Sequence, residues 1–199
     1  MIDSLRLTVA DLETLPTPLD DTRYELIDGV LYVSTQPHPG HQFAAAAITI
    51  DIGSWTRQTN PGYVLTAPGV RFSEHDAVAP DVVWIRRTDM PLHDATGKIR
   101  YAPDLVVEVL SPGMTNTRRD RNLKLKLYSQ HGVKEYWLLD WRRARLDIYR
   151  PAPPKPGLVL VATLGRVDTV TSPLLPGFAA RVADWCLPAP GRRPGRRRH

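Results

Sequence analysis

The sequence predicts an α/β fold, a mixed β-sheet core flanked by α-helices. Three observations carry this prediction. Residues 104 to 140 run strand, helix, strand, the order of a crossover unit in a mixed sheet. Ahead of it, Asp28-Gly29 separates two apolar, β-prone runs and predicts a tight hairpin. Between the two, apolar residues recur at helical spacing from Gly40 to Arg57.

In chain order, RYELIDGVLYV (23–33) is strand, turn, strand, and Glu25 lies on the first strand. Ala44, Ala45, Ile48, Ile52 and Trp55 mark a core helix, which Asn60-Pro61-Gly62 ends with turn chemistry. Two strand-like runs follow, GYVLTAP and VRFSE, and then APDVVWIRR with Asp81 at its entrance. The run APDLVVEVLSP (102–112) is almost continuously apolar around one acid, Glu108. Such a run predicts a strand covered on both faces, where a carboxylate must be paired, protonated or bound to a metal.

After Ser111-Pro112-Gly113, TNTRRDRNLKLKLYSQHG predicts a helix of about four turns closing at Gly132. Asp120, Lys124 and Tyr128 share one face of it, and Leu123 and Leu127 form a neighbouring apolar stripe. VKEYWLLDW and RLDIYRP then pair as strands, joined by Arg142, Arg143 and Ala144.

With 199 residues, 42% of them hydrophobic, the chain can bury one sizeable core. The expected organisation is a single domain over 1–187 and a basic, disordered tail over 188–199, PAPGRRPGRRRH. The formal charge of +5 resembles a nucleic-acid signature only until the charges are located. Arg192, Arg193, Arg196, Arg197 and Arg198 lie in the last eight residues, and the other 21 Lys and Arg match 21 Asp and Glu. The body is formally neutral, so net charge does not identify its partner, although the tail would attract phosphate or an acidic surface. A single cysteine, Cys186, excludes a disulfide framework. The N-terminal stretch lacks the pattern of a signal peptide, and no apolar run reaches about 18 residues, so a cytoplasmic protein is expected.

Asp81 and Glu108 stand 27 residues apart, each on an apolar strand. If those strands are neighbours, the two carboxylates converge on one divalent ion, and oxygen ligands of this kind suit Mg2+ or Mn2+ rather than zinc. The plainer alternative is that each acid caps a turn or ends a strand in water. Lys124 projects from the helix that follows the Glu108 strand, and a return of that helix across the sheet would bring its ammonium to the same place. Spacing alone equally allows a solvated lysine like Lys126.

Four segments, RYELIDGVLYVSTQPHPGHQ, APDVVWI, PDLVVEVLSP and DRNLKLKLYSQHGVKEYWLLD, resemble in order the Uma-two family of candidate restriction endonucleases, within the PD-(D/E)XK nuclease superfamily. SPLLPGFAARVADW resembles the closing segment of that family. The resemblance implies a restriction-endonuclease-like core and a metal-dependent endonuclease acting on DNA. It makes Asp81 the metal-binding aspartate, Glu108 the acid of the (D/E)XK element and Glu25 the additional upstream acid. The superfamily's lysine would stand two residues after Glu108, but that position is Leu110; Lys124 matches the lysine that this family supplies from the following helix.

On this reading Asp81, Glu108 and the backbone carbonyl of Val109 hold Mg2+ (or Mn2+), and Glu25, Asp81, Glu108 and Lys124 form the catalytic set. Tyr128 and His41 match recurrent family positions too, but packing and helix capping explain them equally well, and they stay outside that set. A duplex-cutting enzyme needs two active sites, so a homodimer is expected, with VKEYWLLDW as an apolar surface that reads equally well as core. The alternative from another class is a nuclease-fold module that binds nucleic acid or protein without cutting.

Overall fold

The computed structural model describes residues 6–16, 22–59, 61–87, 92–111 and 119–187. The tail expected over 188–199 lies outside the described residues. A short helix α1 (Val9–Thr14) opens the described chain, with a capping box in which Thr8 and Asp11 satisfy each other's backbone N–H groups. Strands β1 (Arg23–Ile27) and β2 (Val30–Ser34) follow, paired Ile27 to Val30. Asp28 and Gly29 both have positive φ, 54° and 74°, the tight turn that Asp-Gly favours. Helix α2 (Pro39–Thr59) buries Ala44, Ile48 and Ile52, as its period predicts.

The next strands are β3 (Gly62–Thr66), β4 (Val70–Arg71), β5 (Ala77–Val78), β6 (Val82–Arg86) and β7 (Leu105–Val109). The VRFSE run is a strand for two residues only. Beyond β7, Arg119–Lys124 winds as a π-helix and continues as helix α3 (Leu125–Gln130), so the predicted regular helix is locally widened. Leu123 is correspondingly 37% exposed rather than part of an apolar stripe, while Leu127 is buried. The chain ends with β8 (Glu135–Asp140), β9 (Arg145–Ala152), β10 (Lys155–Leu164), β11 (Thr169–Ser172), β12 (Leu175–Arg181) and a 3-10 turn at Val182–Trp185.

The main sheet has the order β10-β9-β8-β7-β6-β3; β7 and β8 are parallel and the other neighbours antiparallel. This is the expected mixed sheet and crossover unit. Every residue of β7 and β8 is buried, because both faces are covered. Leu105, Val107 and Val109 join α2 and the C-terminal segment in one core, while Val106 and Leu110 join α3 and Tyr136 in the other. Alternation therefore turns Glu108 to the α3 side. VKEYWLLDW is an interior strand and supplies no surface for a dimer. A second sheet, β2-β1-β5-β4, carries Glu25. No helix among the described residues is long and apolar enough to cross a membrane.

Candidate active site

Asp81 follows Pro80 at the entrance to β6, and the antiparallel register Val82 to Val107 lays that end of β6 alongside Glu108. Its Oδ2 accepts the Val109 N–H at 2.8 Å and lies 3.1 Å from His41 Nε2. Arg23 Nη1 stands 3.6 Å from Oδ1. Burial alone pushes the Asp81 carboxyl up. The His41 hydrogen bond and charge, the Val109 N–H and the Lys124 charge together outweigh it and hold the group below the usual carboxylate range. Asp81 is thus an oriented carboxylate.

Glu108 is buried among valines and leucines, and it is paired. Its Oε1 lies 2.9 Å from Lys124 Nζ and accepts the Tyr128 hydroxyl at 2.6 Å. The same ammonium is 3.0 Å from Glu25 Oε1, which also accepts the Ala79 N–H at 3.1 Å. Glu25, Glu108 and Lys124 are each less than 5% exposed, so this ammonium bridge lies in a low-dielectric interior. Burial and the neighbouring Glu108 charge raise the Tyr128 phenol well above its ordinary value, so it remains a donor to Glu108.

The reach of Lys124 follows from the winding of the chain. Parallel pairing of β7 with β8 forces the connection back across the sheet, and the π turn ends at Lys124. Lys124 and Tyr128, four residues apart, both meet Glu108, whereas Lys126 points outward. Asp120, the third member of that predicted face, has a side chain outside the description.

Arg23, Glu25, His41, Asp81, Glu108 and Lys124 line one small open cleft together with Val109 and Ser111. Two carboxylates from adjacent strands are hard oxygen donors, and Mg2+ is commonly bound through one or two carboxylates while it keeps several waters. That donor chemistry fits Mg2+ or Mn2+. Among the described residues no three His, Cys, Asp or Glu side chains gather to hold a metal ion. Such an ion would depend on backbone oxygen and water as well. The Val109 contact seen in the structure is its N–H on Asp81.

The three acids and the lysine singled out in the sequence therefore come together, from β1, the entrance of β6, β7 and the end of the π turn. His41 and Tyr128 join them by direct contact, although neither was placed in the catalytic set. A helical spacing of four from Lys124 was the signal for Tyr128. His41 carried no local signal, because its contact with Asp81 crosses 40 residues of sequence. A second Pro-Asp, Pro103-Asp104, stands at the other end of β7 and is structural: Asp104 Oδ2 accepts the Arg86 N–H, and its carbonyl accepts the N–H groups of Lys134 and Glu135.

A mixed sheet with one parallel pair, helices on both faces and acids clustered at the strand ends defines the restriction-endonuclease-like nuclease fold. The chain belongs to the Uma2 family, described as "putative restriction endonuclease", whose pattern matches residues 9–183. Among solved structures it is similar to a "putative nuclease belonging to DUF820" from Anabaena variabilis, with 19% identity and a TM-score of 0.69 over 90% of this chain and 97% of that one. No curated protein matches the chain.

Proposed function

We propose that this chain is a metal-dependent endonuclease that hydrolyses phosphodiester bonds in DNA with Mg2+ or Mn2+. The observation that carries the reading is the convergence of Glu25, Asp81, Glu108 and Lys124, from four separate elements, on one cleft. Asp81, Glu108 and the Val109 carbonyl would hold the ion. When bound, it supplies a Lewis acid for the scissile phosphate and lowers the pKa of a water.

The remaining work falls to the side chains. His41 and the Val109 N–H fix the orientation of Asp81, and Tyr128 clamps Glu108. Lys124, held between two glutamates, presents a fixed positive charge for the developing pentavalent phosphate or orients the attacking water. Glu25 holds the lysine and contributes to water orientation. On the same reading the enzyme is cytoplasmic and acts on duplex DNA as a homodimer, one site for each strand.

The test combines calorimetric binding of Mg2+ or Mn2+ with nicking of supercoiled plasmid, for the parent and for Asp81→Asn/Glu108→Gln. The parent should bind metal and nick, and the folded double variant should do neither. Nicking retained in the double variant would remove the assignment. One observation favours a second reading, a nuclease-fold module that binds nucleic acid or protein without cutting. Lys124 already balances two glutamates, and Asp81 already accepts from His41 and Val109. A folded parent that neither binds metal nor nicks would establish that alternative.

A further inference from the structure

Parallel pairing places the ends of β7 and β8 on one edge of the sheet, where the Leu110 N–H donates to the Leu139 carbonyl at 2.8 Å. The next residue on one side is Ser111, which lines the cleft. On the other side comes the turn Trp141-Arg142-Arg143-Ala144. Trp141 ties that turn to the cleft wall. Its ring stacks on His38 with centroids 5.0 Å apart and lies so close over Gly40 that a Cβ there would sit 2.3 Å from it. Pro37, beside His38, and His41, beside Gly40, both line the cleft. The turn is therefore packed against the cleft wall.

The charge on that turn is unbalanced. Arg143 is 78% and Arg142 39% exposed, and both face the single buried carboxylate of Asp140 at 3.6 and 3.5 Å. Those separations are too long for hydrogen bonds, so neither guanidinium spends its planar donor array on Asp140. His38 adds a donor: its Nδ1 accepts the Gly40 N–H at 3.0 Å, which leaves Nε2 of an exposed side chain to donate.

We infer that the β8–β9 turn is a phosphate-backbone contact for the nucleic acid entering the cleft, with Arg142 and Arg143 pairing with phosphates beside the scissile one and His38 Nε2 donating alongside. This rests on the nuclease reading above and extends it to a substrate-holding surface. Arginine suits the task because its fork matches phosphate oxygens and stays charged at any working pH.

The experiment is fluorescence anisotropy of a labelled DNA duplex with the full chain in EDTA, between 50 and 200 mM salt, for the parent and Arg142→Ser/Arg143→Ser. Loss of two phosphate contacts should flatten the slope of log affinity against log salt by about 1.8 and weaken binding on the order of 10-fold or more at the lowest salt. Arg142→Lys/Arg143→Lys should restore most of the affinity. A charge-matched control, Arg57→Ser/Lys155→Ser, removes exposed positive charge from the far end of α2 and from the start of β10, and should leave the slope as in the parent. An equal loss in that control, or an unchanged slope in Arg142→Ser/Arg143→Ser, overturns the inference while a parent that nicks plasmid keeps the nuclease reading. A parent that neither binds nor nicks DNA overturns both.

Discussion

Replacing Lys124 by methionine keeps the length and the apolar stem of the side chain and removes only the ammonium. In the parent that ammonium lies 2.9 Å from Glu108 and 3.0 Å from Glu25, and all three residues are buried. Without it the two buried carboxylates lose the ammonium that lies between them. Breaking a buried ion pair from one side costs about 3–5 kcal/mol, because the remaining charge stays desolvated. For a chain of this size each kcal/mol lowers Tm by roughly 2–4 °C, so Lys124→Met should melt about 6–20 °C below the parent. Thermal and urea unfolding followed by circular dichroism measure this directly. The triple change Glu25→Gln/Lys124→Met/Glu108→Gln should recover much of the loss, since no uncompensated charge is left. A Lys124→Met protein within about 0.5 kcal/mol of the parent, the range of an ordinary surface substitution, would refute the idea that the lysine holds the acids together.

Two further expectations concern Asp147 and Gly40. Asp147 accepts from Arg121 at 2.9 Å, Arg145 at 3.0 Å and Thr163 at 2.8 Å. Burial pushes its carboxyl up, but these three bonds and the charge of Arg145 outweigh burial and leave it below the usual value. A folded-state value below the unfolded one gives stability that is complete above about pH 4 and is lost as pH falls through the folded value. Asp147→Asn should therefore cost about 1–2 kcal/mol at pH 7, with the half-exposed arginines discounted, and the gap to the parent should narrow below pH 4 in urea titrations. A gap that stays constant down to pH 2.5 would contradict this. Gly40→Ala drives a methyl group into the Trp141 ring, so the ring or the start of α2 must shift. About 1–3 kcal/mol should be lost on thermal unfolding, and Gly40→Ala/Trp141→Leu should regain part of it.

Much of the architecture could be read locally. Asp28-Gly29 specified its turn, because few residues adopt positive φ cheaply. The apolar run around Glu108 specified an interior strand, and the need to pair its carboxylate pointed to chemistry before any partner was visible. Less legible were the long β10 and the β11–β12 hairpin, whose alternation is broken by bulges and by proline and glycine. The π winding of Arg119–Lys124 left no mark either.

The sequence by itself determined the mixed sheet, the crossover from β7 to β8 and the identity of the four charged residues worth pursuing. These depend on periodicity, turn chemistry and the cost of burying charge, all of which act over a few residues. Only the tertiary structure decided that Lys124 reaches both Glu25 and Glu108, that His41 orients Asp81, and that Trp141 fixes an arginine turn beside the cleft. Those contacts join strands from two sheets and helices on opposite faces of one of them. Their distances are set by how the layers pack, which no local pattern encodes.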